Sequence, residues 1–296
     1  MGVNTKIIRS RIKSISNTKK ITKAMEMISA VKMRKAVTNV LATRSYANLA
    51  WSMLQDVARK TDISLHPLLK TRPVKKIGLI FITSNRGLSG GFSSKLLLEA
   101  DKFIKNANAE VEVLLMGKKG RKIYKNFGHK VAAEFDKIDL TTKVEEINAL
   151  SRMAVEDYVS GKYDKLCVAY TDFASAIKQT PKIKELLPFV NQDTDLGETN
   201  VREAKISVPD AFEFKFEPNP EEVLNILIPR LVEMQIYQAI LESDASEHSA
   251  RMMAMRNASD AASDIIKDLN YTFNKARQSA ITQEIAEIVG GAAALE

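Results

Sequence analysis

The sequence contains one cysteine, Cys167, among its 296 residues, so it can form neither an intrachain disulfide nor a zinc site made of several cysteines. Its three histidines do not stand in the HExxH spacing of a metalloprotease, and we expect no metal site. The apolar runs are much shorter than the ~20 residues that a membrane-spanning helix requires. Because Cys167 lies inside a predicted strand, we expect it to be a buried small residue and not a nucleophile.

Glycine and proline, which weaken or break helices, are absent from residues 3–66 and from residues 230–289. This absence predicts two very long helices, one near each end of the chain. The second should begin at Asn219-Pro220, since asparagine is a good cap and proline suits a first turn. We expect Pro229 to bend or interrupt its first turns, and the pair Gly290-Gly291 to end it.

An apolar stripe with alternating three- and four-residue spacing runs along each of these segments. Such a narrow stripe needs a partner helix. Two helices at opposite ends of a chain can pair antiparallel, or through a fold that brings the termini together, which predicts a two-helix rod with a domain inserted between its arms. The first stripe is Met33, Ala36, Val40, Thr43, Ala47, Ala50, Leu54 and Val57. The second is Leu227, Leu231, Met234, Leu241, Ala245, Met252, Met255, Ala262, Ile266, Leu269, Phe273, Ala276 and Ala280.

The two end segments carry opposite charge, although the whole chain has a net charge of +8. Residues 1–60 hold 13 Lys and Arg against only Glu26 and Asp56, whereas residues 215–296 hold 7 basic and 13 acidic residues. Opposite signs favour pairing of the helices along their flanks. The remaining positive charge must face solvent or an acidic partner, and a nucleic acid, an anionic membrane surface and an acidic protein all fit it.

The middle of the chain alternates apolar strand patterns with helical patterns. Strands separated by helices predict an α/β domain with a mainly parallel sheet. We expect an edge hairpin and a poorly packed loop within residues 176–216, which are rich in proline. The predicted strands are 76–84, 110–117, 130–136 and 164–172, and the predicted helices are 93–105, 118–127 and 142–160.

One glycine-rich loop, Ser84–Phe92, follows a strand and precedes a helix, which is where phosphate-binding loops sit. It lacks the GK[ST] ending of a P-loop and the spacing of GxGxxG, so we favour a tight turn over a phosphate site. His66 and His129 fall in a loop and at a strand edge. His248 falls in the helical stripe, where a polar core residue that sets register is the better interpretation.

Methionines cluster at two places, and some of them should be exposed for adaptable protein contacts. The clusters are Met25, Met27 and Met33, and Met252, Met253 and Met255. The apolar tail from Ile281 to Leu295 needs an apolar surface from a partner if it is ordered.

Four segments resemble the gamma subunit of F-type (F1Fo) ATP synthase, in its bacterial type. They are ITKAMEMISAVKMRKA at 21–36, ITSNRGLSGGF at 82–92, HSARMMAMRNASDAA at 248–262 and YTFNKARQSAITQEIAEIVGGAAAL at 271–295. The resemblance implies a long antiparallel coiled coil of the terminal helices with an inserted Rossmann-like α/β domain. It divides the chain into a shaft helix at 1–62, the inserted domain at 74–216, and a shaft helix with its tip at 219–296.

The resemblance also implies a function, that of a rotor stalk that transmits torque between the c ring and the catalytic hexamer. The implied partners are three alpha and three beta subunits, the epsilon subunit and the c-subunit ring, with neither a nucleic acid nor a small-molecule substrate. It implies no active site and no cofactor, since ATP chemistry takes place on beta. The N-terminus predicts neither a secretory signal nor a transit peptide, so the implied location is peripheral, on the cytoplasmic face of the bacterial inner membrane.

Three sets of partner contacts follow from the resemblance. The first set faces the acidic lever loop of beta and consists of Lys23, Met25, Lys32, Arg34, Lys35 and Arg251. The second contacts an upper loop of beta and consists of Arg277 and Gln278. The third is a tip in an apolar sleeve and consists of Ile281, Ile285, Ile288 and Val289.

The alternative function is a basic coiled-coil scaffold or a nucleic-acid-binding protein that uses the N-terminal helix. Steeply salt-dependent DNA binding would support that alternative. Two details depart from the family pattern, since Asn85 and Ser89 stand where relatives often have aspartate and cysteine. The cysteine pair of the redox-regulated chloroplast form is also missing, so thiol switching of that kind is not expected.

Overall fold

The computed structural model describes residues 5–60, 67–188 and 220–293. The chain divides into two compact units, one formed by Ala30–Arg251 and the other by Met1–Ser29 together with Met252–Glu296. These unit boundaries cut through both long helices, whereas the segments expected from the sequence follow the helix ends, so that segmentation stays a prediction. Among the described helices, none is long and apolar enough to cross a membrane.

The larger unit contains a five-stranded sheet in the order β3-β2-β1-β4-β5. The first four strands of that order run parallel, and β5 pairs antiparallel with β4 at the edge. The predicted parallel sheet is therefore confirmed. Of the segment 176–216, β5 is described as an edge strand, but residues 189–216 lie outside the described residues, so the edge hairpin and the loop expected there stay predictions. The strands are β1 (Lys76–Ile82), β2 (Glu110–Met116), β3 (Val131–Phe135), β4 (Lys165–Phe173) and β5 (Gln179–Leu187). The helices are α1 (Thr5–Lys60), α2 (Phe92–Asn106), α3 (Lys122–Lys125), α4 (Asn148–Val159) and α5 (Pro220–Ala293).

Each face of the sheet is covered by helices, which explains why β1, β2 and β4 are apolar almost without alternation. On one face, Leu79 and Phe81 of β1 pack with Leu96 of α2. On the other face, Ile80 packs in a cluster that holds residues of α1, α4 and α5, among them Val40. The long helices are thus part of the core of the α/β domain within this unit.

Three contacts in the larger unit establish that α1 and α5 run antiparallel. The Thr43 hydroxyl donates to Gln238 Oε1 at 2.6 Å. Earlier in α1, Lys32 forms an ion pair with Asp139, whose carbonyl accepts from His248 further along α5. Thr43, the later residue of α1, thus lies near the earlier part of α5, and Lys32, the earlier residue of α1, lies near the later part of α5. The two helices therefore run antiparallel here, as the predicted fold class requires. Ala36 and Val40 of the predicted stripe are buried; the side chains of Ala47, Ala50, Leu54 and Val57 lie outside the described ones.

Two kinds of predicted helix boundary differ from the structure. Pro229 does not interrupt α5, because the flanking residues Ile228, Leu231 and Val232 are buried in the core and hold the turn; the alternative, a bend there, stays a prediction. It also continues through Gly290 and Gly291, since glycine costs only about 1 kcal/mol in a helix and the next residues, Ala292 and Ala293, favour helix. The predicted helices at 118–127 and 142–160 each begin instead as a 3₁₀ turn, Lys118–Arg121 and Val144–Ile147 respectively.

Candidate functional site

The loop between β1 and α2 is tied into the domain by its own side chains. The Asn85 amide donates to the Lys137 carbonyl at 2.5 Å, and its oxygen accepts from the Lys118 N–H. Ser84 and Ser93 share a hydrogen bond of 2.7 Å between their hydroxyls. The side chains of Ser84 and Asn85 are thus used within the domain, which fits the tight-turn interpretation. No cluster of metal-ligating side chains occurs among the described residues.

The basic segment of α1 has an exposed apolar component in the smaller unit. Lys23 is exposed and forms an ion pair of 3.0 Å with Glu26. Met25 is half-buried, whereas Met27 and Ile28 are exposed. The expectation that some methionines are exposed is therefore confirmed at Met27, which is 57% exposed. This stretch offers positive charge next to apolar surface.

Within the larger unit, the remaining predicted contact residues differ in their accessibility. Arg34 and Lys35 are exposed on α1. Lys32 is half-buried, because it reaches Asp139 in the loop after β3. Arg251 is only 7% exposed and forms an ion pair of 2.7 Å with Glu247. Its guanidinium is thus mostly buried and already has a partner within the chain.

A buried ionic network surrounds Arg251, and its central cation, Lys137, was not singled out from the sequence. The Lys137 ammonium lies 2.8 Å from Asp244 and 2.7 Å from Glu247, with 2% of its side chain exposed. Although burial opposes its charge, the two carboxylates raise the pKa of Lys137 above its usual value. Burial raises the pKa of Asp244, while Lys137 and the Thr141 N–H oppose that rise. One Asp244 oxygen accepts from the Thr141 N–H and the other lies 2.8 Å from the Lys137 ammonium, and both neighbours favour the ionised carboxylate.

His248 is a buried member of the same network. Its Nε2–H donates to the Asp139 carbonyl at 3.0 Å, and its Nδ1 accepts from Arg251 at 3.3 Å. Burial lowers the pKa of His248, so the ring is neutral at physiological pH and needs only these two bonds. The interpretation of His248 as a polar core residue is confirmed, because it is 1% exposed. His66 lies outside the described residues.

Among the described residues of the smaller unit, α1 is too short to accompany α5 to its far end. In that unit α1 supplies 25 described residues, Thr5 to Ser29. Because every α-helix rises by the same length per residue, these 25 residues can lie beside 25 residues of α5. In the smaller unit, that is the stretch from 252 to about 276. Accordingly, every described side chain from Arg277 to Gly291 is exposed. Ile281, Ile285, Ile288 and Val289 form an apolar stripe there that is 48% to 72% exposed.

Known proteins resemble this chain over nearly its whole length. A family model described as ATP synthase matches residues 4–295. The ATP synthase gamma chain of Chloroflexus aurantiacus is 43% identical over 294 residues, which cover 97% of each chain. The chain belongs to the ATP synthase gamma chain family. Another member, from Legionella pneumophila, is 37% identical over 98% of this chain and 99% of its own length.

A solved structure agrees with this family assignment. It is titled as the central stalk and c ring of the Tetrahymena thermophila mitochondrial ATP synthase, and its chain is 25% identical to this one. The match covers 81% of this chain and 99% of that chain, with a TM-score of 0.61. The predicted membership of the gamma chain family, fold class and stalk function are therefore confirmed, and the scaffold or nucleic-acid alternative is not supported. The individual partner contacts stay predictions.

Proposed function

We propose that this gamma chain family member is the central shaft that carries torque between the c ring and a hexamer of three alpha and three beta subunits. Ion flow through the membrane sector then drives ATP synthesis, and ATP hydrolysis drives ion pumping. The proposal rests on one observation: at the end of α5, every described residue from Arg277 to Gly291 is exposed. A single helix with an exposed apolar stripe is unfavourable in water and calls for an enclosing surface.

The chemistry of this tip suits a surface that turns inside its partner. Ile281, Ile285, Ile288 and Val289 can make only non-directional apolar contacts, which change little as the helix rotates in an apolar sleeve. Arg277 and Gln278 lie at the base of the tip, just beyond the stretch of α5 that α1 can accompany, and are exposed. They are positioned to bond an upper loop of beta, since a guanidinium binds a carboxylate with two parallel hydrogen bonds.

The exposed cations of α1 would meet the acidic lever loop of beta. In the proposal, Lys23 and Met25 contact it from the smaller unit. Lys32, Arg34 and Lys35 contact it from the larger unit. Arg251 is buried and paired with Glu247, so its part in this contact is indirect, through the position of α5.

Catalysis is proposed to take place on the beta subunits, with no active site in this chain. The loop at Ser84–Phe92 supports this, because it lacks a P-loop ending and its Ser84 and Asn85 side chains already bond within the domain. The inserted domain, 74–216, would sit on the c ring beside the epsilon subunit, below the shaft formed by 1–62 and 219–296. The protein would thus be peripheral, on the cytoplasmic face of the bacterial inner membrane.

Assembly tests this proposal. Bacterial alpha and beta subunits purified without a gamma chain are mixed with this chain, and the product is analysed by size and by subunit stoichiometry. We expect one copy of the chain per three alpha and three beta subunits, with ATPase activity that the isolated chain lacks. The matched control is the same chain cut after Ala276, which removes the whole exposed tip. Failure to form a complex, or ATP turnover by the chain alone, would overturn the proposal.

A further inference from the structure

The middle of α5 is buried on every side, although most of its residues there are polar. From Glu242 to Ser249, all eight residues are buried, and only Ala245 is apolar. A helix normally turns its polar residues to water, because burying a polar or charged group costs free energy unless a partner satisfies it. The residues that bond to these buried side chains therefore indicate the role of this segment.

The partners form a collar around α5, made of Lys137, Asp139, Thr141, Thr171 and Ala176. Lys137 pairs with Asp244 and Glu247, and the Thr141 N–H donates to Asp244 at 2.9 Å. The Asp139 carbonyl accepts from His248 at 3.0 Å. The carbonyls of Thr171 and Ala176 accept from Ser246 and Ser249 at 3.1 and 2.7 Å. The collar comes from the loop after β3, from β4 and from the turn between β4 and β5.

These bonds reach α5 from all directions. Successive residues of an α-helix are rotated by about 100° around the helix axis. When the direction of Asp244 is taken as zero, His248 lies at about 40° and Ser249 at about 140° around that axis. Ser246 lies at about 200° and Glu247 at about 300°. No sector wider than about 100° is left without a bond to the collar. An apolar sleeve of the same shape would tolerate rotation of the helix, because apolar contacts are not directional. In the collar, a slip of one residue would separate Lys137 from both carboxylates and leave buried charges unpaired.

We propose that the collar is a torsional clamp that fixes the rotation of α5 relative to the α/β domain, with Lys137 as its principal positioning residue. The inference rests on the proposed function, since a shaft that turns inside its own domain would dissipate torque between the c ring and the hexamer. Buried ionic groups are known to specify register in helical assemblies, even where they add little stability. In this chain, the buried ion pairs of Lys137 would specify the rotation of α5 about its own axis.

The key variant is Lys137→Met/Asp244→Asn, which removes one charge of each sign. Glu247 keeps its partner Arg251 on the same helix, and the amide at position 244 can still accept from Thr141. The ionic bonds between the collar and α5 are lost, while the buried charge stays balanced. The matched control is Lys130→Met/Glu112→Gln, which removes a pair of 2.6 Å between the residue just before β3 and a residue of β2, in the same domain and away from the collar.

The first measurement is the distance between two spin labels in the full-length chain, below the unfolding temperature of each variant. The labels are placed through Ser94→Cys in α2 and Asn225→Cys in α5, both at exposed positions of the larger unit, while the native Cys167 is buried. We expect one narrow distance in the parent and in the control. In the clamp variant we expect a broader distribution or a second population, shifted by up to about 8 Å for a slip of one residue.

The second measurement is ions pumped per ATP hydrolysed by the reconstituted synthase. If the native position of α5 in the collar and a position shifted by one residue become equally populated, the number of ions pumped per ATP should fall about twofold in the clamp variant and not in the control. An unchanged narrow distance in the clamp variant would overturn the clamp. Broadening without a loss of pumping, or a loss of pumping without broadening, would overturn its role in torque. The distance measurement needs no partner subunit, so it gives its answer even if the proposed rotor function fails.

Discussion

Loss of the Lys137 charge alone should destabilise the chain strongly. In Lys137→Met, the carboxylates of Asp244 and Glu247 remain buried, with 0% and 5% of their side chains exposed. Arg251 is the only cation left that pairs with either of them by a described contact, so the network keeps a net negative charge. Removal of one member of a buried ion pair typically costs about 3–5 kcal/mol in the free energy of unfolding. For a unit of this size, that corresponds to a Tm lower by roughly 6–20 °C.

The loss of stability in Lys137→Met should grow as the pH rises. Burial raises the pKa of Asp244, and removal of Lys137 takes away the main charge that opposes this rise. A carboxyl whose pKa is higher in the folded than in the unfolded state loses stability as pH rises through that interval. The deficit of Lys137→Met against the parent should therefore be smallest near pH 4 and grow towards pH 8. The pKa of Lys137 itself is raised above 10.5, so its own titration lies outside this range.

The assay is urea unfolding of the full-length chain at several pH values, with Lys130→Met as the control. Lys130 also contacts two carboxylates, but its own side chain is exposed, and its buried partner Glu112 keeps Lys76 and the Tyr163 hydroxyl as partners. Its replacement should change stability little. The double variant Lys137→Met/Asp244→Asn should recover most of the loss, because it restores charge balance. The reasoning would be refuted if Lys137→Met were as stable as the control, or if its deficit shrank with rising pH.

Three further outcomes are expected. Met25→Lys adds an ammonium beside the proposed acidic lever loop, so pumping per ATP should fall while subunit stoichiometry stays normal, because an extra ion pair hinders rotation. Arg277→Leu should lower the ATPase rate of the assembled complex far more than deletion of residues 290–296, which removes only small apolar contacts at about 25 cal/mol per Å². Burial raises the pKa of Cys167 to about 12, so maleimide at pH 8 should modify it only after unfolding, as mass spectrometry can check.

Each of these expectations has a clear contrary result. Normal coupling in Met25→Lys would remove this residue from the proposed contact. Equal losses from Arg277→Leu and from the tail deletion would mean that the strong contact lies elsewhere. Rapid labelling of Cys167 in the native chain would contradict its burial between α2 and the sheet.

The repeating patterns of the sequence predicted the fold well. Alternating three- and four-residue spacing fixed the long helices, and the apolar strands such as Lys76–Ile82 lie within a residue or two of their predicted bounds. The errors were at places where local chemistry competes with packing. Pro229 and Gly290 are poor helix residues, yet α5 continues through both, since local propensity is a weak influence beside core packing and a long established helix.

The candidate site was only partly predictable. Exposed cations such as Arg34 and the stripe at the tip follow from helical spacing, because a helix that repeats every 3.6 residues shows which positions lie away from its partner. Lys137 and the collar could not be predicted in this way, because they depend on contacts between residues 73 to 110 positions apart. One signal was present, the polar stretch ESDASEHS at 242–249, which interrupts the apolar pattern of α5 on all sides.

Rotation tests the central claim most directly. The hexamer is fixed to a surface, and a visible probe is attached to this chain through Ser94→Cys on the inserted domain, which is exposed. With ATP present, a shaft held by three equivalent beta subunits should turn in one direction and pause at intervals of about 120°, as the threefold arrangement requires. A complex that hydrolyses ATP at the full rate while the probe stays still, or turns equally in both directions, would contradict the account.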